Sequence, residues 1–578
     1  MKGCNTKNYC TLRIYLVTAF LGVCFVIVIA RLYYLQTLKQ ENFIELANYQ
    51  HIAKTKIHPK RGEIRDRSGK ALAVNVEVES VFADPRYVED PHLCAYHLTR
   101  ILGVEEKDTF EKLTRKKSFV WIKRKIDLDV AEQIKALNLS GIGFRKEVKR
   151  VYPNGRLLSH VLGFTGIDGE GLEGMEMSMD GVLSGETGWR IVSKDARRRE
   201  VWHCMPLEKP AVNGHNIELT IDSMIQYIAE SELEAAYNER KPIWAGIIVM
   251  RPKTGEILAM ATRPTYDPNN FQYSETDERR NRVITDIFEP GSIFKPLSCA
   301  AALNEGVVRF DDVFYCERGA YRVARHTLHD SHPYEYLSFP EIIAVSSNIG
   351  TAKISMNLGG EKLYRYLSDF GLGQVSDIPL LGEAKGIFHH IDRWSKLSIV
   401  CVPMGQEVSV SALQMLKGFS ALANNGLLMK PYLIKRIIDE HGNVVQSFEP
   451  EPIKQVVTPK TAKMINEALK MAVRKGGTGI HADIPEYTVA GKTGTAQKAE
   501  NGRYSHTKFV GSFVGYVPAD DPELSIIVVM DQPKGQYYGG VVSAPVFREV
   551  ARKVLKYLEI LPEPERIPLT QINNKMGG

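Results

Sequence analysis

The sequence predicts an α+β fold: an antiparallel sheet flanked by helices, preceded by an irregular β-rich N-terminal domain and one transmembrane helix. Three observations carry this expectation. A continuous apolar run, "IYLVTAFLGVCFVIVIA", occupies 14–30. From 216 onward, strand-like runs stand at both ends and a mostly helical stretch separates them, so distant strands must meet in one sheet with helices on its faces. Finally, 578 residues are too many for one ordinary core. The expected divisions are a tail at 1–13, an anchor at 14–35, an N-terminal domain at 36–215, a main domain at 216–560 and a flexible tail at 561–578.

The apolar run is about long enough to cross a bilayer, with Tyr33 and Tyr34 placed as interfacial anchors. Arg31 is placed to snorkel to the headgroups. No small-x-small cleavage site follows the run, so the anchor is read as uncleaved. "LGVC" at 21–24 faintly matches a lipoprotein site, but Val23 stands where a small residue is wanted and the chain after Cys24 stays apolar. Lys2, Lys7 and Arg13 precede the span while Arg31, Lys39, Lys54 and Lys56 follow it, so charge bias does not set its orientation.

Residues 36 to about 215 mix short strands, basic turns and glycine-rich loops. Gly169, Gly171 and Gly174 match the G-x-G-x-x-G of dinucleotide-binding folds, but no long buried strand leads in, and Glu170 and Glu173 would face a pyrophosphate with negative charge. A tight loop is expected. The formal charge of +6 is small for this length, and "RKK" at 115–117 and "RRR" at 197–199 read as solvated faces. No zinc-finger or RNA-recognition spacing accompanies them, and no nucleic-acid partner is expected. Eight cysteines include no C-x-x-C pair, which removes zinc-ribbon and thioredoxin readings.

In the main domain, "LTIDSMIQYIAESELEAAY" places Ile221, Met224, Ile225 and Ile228 at helical spacing, with Thr220 as the cap candidate. "AGIIVM" and "EILAMA", joined by "RPKTG", read as a strand hairpin. After the helical stretch come three strand-like runs, "YTVAGKTGTAQ", "KFVGSFVGYV" and "LSIIVVMDQP", and a closing helix, "APVFREVARKVLKYL".

The chemistry begins with "VAGKTGTAQK" at 489–498. Gly491-Lys492-Thr493 could close a P-loop, but the glycine needed five positions earlier is Glu486, and no helical stripe follows. The other reading of the same residues, Lys492-Thr493-Gly494, needs a serine and a lysine elsewhere. "FEPGSIFKPLSCAAAL" at 288–303 supplies them: Pro290 and Gly291 break the chain before a helix, and Ser292 and Lys295 share one helix face. A serine hydroxyl needs a base, and lysine serves only when neutral, which burial beside another cation favours. Helix N-terminal N–H groups favour developing negative charge. "AVSSNIG" at 344–350 adds Ser346 and Asn348, a hydroxyl and an amide able to relay a proton and bind a peptide amide. Lys492 can attract a carboxylate that the Thr493 and Thr495 hydroxyls bind, and Gly494 lets a substrate lie against the strand edge.

These motifs, "SIFK", "SSN" and "KTG" in that order, resemble those of the class B penicillin-binding proteins, the D,D-transpeptidases of peptidoglycan synthesis. The likeness extends to "RGEIRDRSG", "GLEGME", "LTID", "YDPNNF", "GQEVSVSALQM" and "APVF", and so covers nearly the whole chain. "ESVFADP" and "IKALNLSGIGF" resemble the division-specific branch. The resemblance implies a penicillin-binding transpeptidase fold on a pedestal of the dimerisation type, and roles for matching residues. Ser292 would attack the penultimate D-alanine carbonyl of a stem peptide, with Lys295 taking its proton. Ser346 would pass a proton toward the leaving amine, Asn348 would hold the donor, and Lys492, Thr493 and Thr495 would position its carboxylate. Backbone N–H groups of Ser292 and Thr495 would form the oxyanion hole. A neighbouring amine would resolve the acyl-enzyme, while β-lactams would acylate the same serine and stay. It further implies peptidoglycan stem peptides as substrate, a SEDS-family glycosyltransferase and other division proteins as partners, no cofactor, and a single pass through the cytoplasmic membrane with the catalytic domain outside.

Other readings are weaker on the residues. Class A β-lactamases carry a Glu-x-x-Leu-Asn motif that is not found here, and they lack an anchor. A D,D-carboxypeptidase shares the acylation step and is not separated by motif. A catalytically silent scaffold is disfavoured by the intact motifs. His326, His329 and His332 recur every third residue, with His389-His390 further on, but Pro333 and the lack of a helical stripe argue against a metal site.

Overall fold

The computed structural model describes residues 6–41, 52–194, 200–201, 208–324, 326–500 and 503–563. They fall into two compact units, one from 1–60 and 185–213, the other from 61–184 and 214–578. In the first unit a helix runs from Thr6 to Tyr33 and continues as a π-helical turn, Tyr34–Leu38. Its stretch Thr11–Leu38 is long and apolar enough to cross a membrane. Strand Ile52–Ile57 pairs antiparallel with Gly188–Lys194, which also pairs with Glu200–Val201 and Glu208–Lys209.

The second unit is organised around a five-stranded antiparallel sheet. In chain order its elements are α1 (Ser223–Arg240), β1 (Trp244–Met250), β2 (Ile257–Arg263), α2 (Lys295–Asn304), α3 (Asn348–Leu358), α4 (Ala412–Ala423), α5 (Pro459–Val473), β3 (Ala490–Glu500), β4 (Arg503–Val517), β5 (Leu524–Asp531) and α6 (Ala544–Tyr557). The strand order is β2-β1-β5-β4-β3, so the hairpin from the start of the unit pairs with strands from its end. That is the closure expected from the sequence.

Strands β1 and β5 read as continuous apolar runs because both faces of the sheet are covered. Ile247 and Val249 with Ile526 and Val528 pack against Ile225 and Leu233 of α1 and Phe547, Val550 and Val554 of α6. Their alternates Ile248, Met250, Ile527 and Val529 face Leu297 of α2, Leu413 and Phe419 of α4, and Ile465 of α5. Burying each such side chain stabilises by about 1.5–3 kcal/mol. The sheet is therefore a rigid slab on which the site is mounted.

One expectation is corrected at α1. Thr220 is not its cap: the Thr220 hydroxyl donates to the Ile257 carbonyl at 2.8 Å, and the Asp222 carboxylate accepts from the N–H groups of Met224 and Ile225 at 2.9 and 3.2 Å. Ile221 consequently lies before the helix, and Met224 is exposed. The carboxylate wins because it stands immediately before the first helical residue, in extended conformation, while Thr220 is still bound to the neighbouring strand.

A second sheet in this unit links residues far apart in sequence. Ile64–Arg65 pairs parallel with Asn216–Leu219, which pairs with Ile434–Ile438; Ile64–Arg65 also pairs with Ala71–Ala83, whose partners are Val120–Ile126 and Ile142–Val151. The "GLEGME" loop carries the buried Glu176, which accepts from Arg61 Nε at 2.6 Å and Arg150 Nε at 2.7 Å, while Arg61 also binds Asp180 at 2.6 Å. The glycine-rich loop thus wraps an ion cluster, and a Cβ on Gly163 would sit 1.8 Å from the Glu173 carbonyl oxygen. Cys24, Cys94, Cys299, Cys316 and Cys401 are free thiols. The "RRR" run lies outside the described residues, as do Met1–Asn5 of the expected tail at 1–13 and 564–578 of the expected tail at 561–578.

Candidate active site

Pro290 and Gly291 lead into a 3₁₀ turn, Gly291–Phe294, that runs directly into α2. Ile293 and Phe294 are fully buried and fix the turn, leaving Ser292 half-buried. The turn is braced by Gly405, whose carbonyl accepts from Gly291 N at 3.1 Å. Gly405 has φ +77°, and a Cβ there would lie 2.3 Å from the Gly291 oxygen, so only glycine fits.

Lys295, the first residue of α2, is fully buried. Its Nζ donates to the Ser346 carbonyl at 2.6 Å, to Asn348 Oδ1 at 2.7 Å and to Ser346 Oγ at 3.2 Å. Burial pushes its ammonium down to about 8, opposed by the nearby Asp330 carboxylate. Ser346 holds φ +64°, a left-handed conformation costly for a non-glycine residue, and this turns the chain ahead of α3. Asn348 opens α3, with its Nδ2 donating to the His329 carbonyl at 2.7 Å.

The third group comes from β3. Lys492 is fully buried, and its Nζ donates to the Thr493 carbonyl at 3.3 Å and to the Thr478 and Thr493 hydroxyls at 3.4 Å. Burial, reinforced by the charge of Lys295, lowers its affinity for a proton well below the ordinary lysine value. Thr493 Oγ1 donates to Thr478 Oγ1 at 2.8 Å, and Thr495 Oγ1 accepts from Gly539 N at 3.2 Å. A Cβ on Gly494 would come within 2.4 Å of Ser512 Oγ and 2.9 Å of the Pro290 carbonyl oxygen, so the strand lies tightly against the serine turn.

The structure therefore brings Lys295, Ser346 and Asn348 into direct contact. It sets Lys492, Thr493, Gly494 and Thr495 along one strand beside the turn that carries Ser292. Four contributors were not singled out from sequence: Asp330, Thr478, Gly539 and the His329 carbonyl. Asp330 accepts from Asn348 N at 2.5 Å, Ile349 N at 3.1 Å and Ser347 Oγ at 2.6 Å, and so holds the start of α3. It lies in the stretch "ARHTLHDSHPYEY", where a single aspartate among three histidines carries no spacing signal of its own. In the structure His326–His329 is a strand paired with Ala320–Val323, and among the described residues no group of three His, Cys, Asp or Glu side chains is placed to hold a metal.

A serine hydroxyl at a helix start, a buried lysine of reduced basicity and a Ser/Asn pair against that lysine are the groups that serine acyl transfer uses. Comparison with known proteins specifies the class. Residues 245–552 match the family "Penicillin binding protein transpeptidase domain" and residues 56–219 match "Penicillin-binding Protein dimerisation domain". The chain is 37% identical over 564 residues to Stage V sporulation protein D of Bacillus subtilis, covering 96% of this chain and 87% of that one. It is 35% identical over 556 residues to the probable peptidoglycan D,D-transpeptidase PenA of Neisseria gonorrhoeae, covering 95% and 93%. Penicillin binding protein 3 of Mycobacterium tuberculosis, solved with ampicillin, superposes with a TM-score of 0.71 at 27% identity, covering 89% of this chain and 98% of that one. The chain belongs to the class B penicillin-binding proteins, the peptidoglycan D,D-transpeptidases.

Proposed function

We propose that this chain is a membrane-anchored transpeptidase that cross-links stem peptides through an acyl-enzyme on Ser292 during septal wall synthesis, and that β-lactams acylate the same serine. The observation that carries the reading is the hydrogen-bonded set around the buried Lys295 Nζ, with Ser346 Oγ at 3.2 Å and Asn348 Oδ1 at 2.7 Å. Neutral Lys295 takes the Ser292 proton as Oγ attacks the penultimate D-alanine carbonyl. The backbone N–H groups of Ser292 and Thr495 stabilise the oxyanion. Ser346 relays the proton to the leaving D-alanine, Asn348 holds the donor amide, and Lys492, Thr493 and Thr495 hold the terminal carboxylate.

In this reading 1–13 is a cytoplasmic tail, 14–35 spans the cytoplasmic membrane once, 36–215 is the pedestal and 216–560 the transpeptidase domain outside the cytoplasm. A SEDS-family glycosyltransferase supplies the glycan strands. The septal assignment is supported by "ESVFADP" and "IKALNLSGIGF". The likeness to a protein named for stage V of sporulation favours a second deployment of the same reaction, in spore formation. Purified full-length chain in detergent, given a donor ending in D-alanyl-D-alanine and an amine-bearing acceptor, should release D-alanine and form the cross-linked amide. Ser292→Ala should do neither. Release of D-alanine with only hydrolysed donor, at any acceptor concentration, would make the chain a carboxypeptidase.

A further inference from the structure

A cavity of about 400 Å3 lies beside the turn that carries Ser292, lined by Trp244, Phe288, Glu289, Ser409, Gln497 and Lys498 among others. Its wall shares Ala496 with the catalytic strand, and Ala496 and Thr495 are the groups a Cβ on Gly291 would meet first, at 3.3 and 3.4 Å. Most charges in this wall are neutralised. Lys498 donates to both Asp531 oxygens at 2.8 and 2.9 Å, and Arg282 bonds to Asp286 at 2.7 Å and Asp277 at 2.5 Å. Glu289 is different. Its Oε1 accepts from Glu407 N at 3.1 Å and from the Tyr504 hydroxyl at 3.2 Å, but its Oε2 is buried with no hydrogen-bond partner. Among the described residues it pairs with no cation, and the nearby Glu407 adds a second negative charge.

A buried carboxylate oxygen without a partner is costly, so a donor that reaches it gains more there than at a solvated carboxylate. Glu289 stands three residues before Ser292, and the cavity it lines also takes in Ala496, next to Thr495 on β3. The acyl-transfer reading requires a second substrate that enters as a primary ammonium, the one cation the reaction brings to this place.

We infer that Glu289 binds the ammonium of the acceptor peptide and so directs the acyl group to the amine rather than to water. This rests on the Ser292 acyl-enzyme of the proposed function. The bound ammonium releases one proton to solvent, its nitrogen bonds to the acyl carbon, the carbon–Oγ bond of the Ser292 ester breaks, and the second amine proton returns to Oγ through Lys295. Water carries no charge for Glu289 to hold, so hydrolysis gains nothing from it.

The test uses the full-length chain in detergent with a thioester donor, and compares an acceptor peptide bearing a free side-chain amine with methanol as a neutral nucleophile. Glu289→Gln keeps shape and an acceptor for Glu407 N. It should lower the amide-to-acid product ratio about tenfold, leave the methyl ester-to-acid ratio unchanged and leave the rate of acylation by penicillin unchanged, while Glu289→Asp retains most of the amide yield. An unchanged amide ratio in Glu289→Gln overturns the assignment. So does a parallel fall with methanol, or a parallel fall in acylation, because either marks a purely structural role. Failure of the unaltered chain to be acylated at all overturns both this and the acyl-transfer reading.

Discussion

If Lys295 is the base that activates Ser292, acylation must follow its deprotonation. Burial lowers its pKa from 10.5 to about 8, against the opposing pull of Asp330. The active form is the neutral amine, so the rate rises with pH. With a midpoint near 8, the neutral fraction is about one-tenth at pH 7 and about nine-tenths at pH 9, roughly a tenfold gain. The assay is stopped-flow acylation by a chromogenic cephalosporin at saturating drug, so that the pH dependence of drug binding drops out. Lys295→Arg places a permanently charged guanidinium in the same pocket and should reduce the rate about a hundred- to ten-thousand-fold at every pH. A flat profile between pH 6 and 9, or a midpoint near 10 as for a solvated lysine, would refute the role given to burial.

Three further outcomes follow from the geometry. Gly494→Ala places a methyl within 2.4 Å of Ser512 Oγ and against the Pro290 carbonyl, so β3 must move from the serine turn; acylation should fall more than about tenfold, measured by the same assay, while the protein stays folded. Asp330→Ala removes acceptors from two N–H groups of α3 and the Ser347 hydroxyl, and should cost about 1–3 kcal/mol, read as a fall in Tm of several degrees. Glu176→Gln leaves Arg61 and Arg150 short of a charge in a buried cluster and should cost about 3–5 kcal/mol in chemical denaturation.

The catalytic sheet was legible in sequence because its strands are fully covered: "AGIIVM" and "LSIIVVMD" are continuous apolar runs that admit few other readings. The S-x-x-K, S-x-N and K-T-G motifs were legible because each is a local spacing, and order along the chain added weight to each. What stayed hidden depends on tertiary placement. Ile64–Arg65 is only two residues long, too short for any period, yet it joins Ala71–Ala83 to Asn216–Leu219. Asp330 and Thr478 lie 18 and 14 residues from the groups they bind, in connecting segments whose path no local pattern records. The Thr220 expectation failed for a smaller reason: two oxygen-bearing residues precede α1, and the one bound to the neighbouring strand is not free to cap it.

The most direct test of the central claim is the intact mass of the full-length chain in detergent after incubation with a penicillin, with free drug followed in the same run. A lasting adduct of one drug molecule, mapped to Ser292 and absent from folded Ser292→Ala, is the predicted result. Drug loss without an adduct, or neither adduct nor loss from a folded preparation, would contradict it.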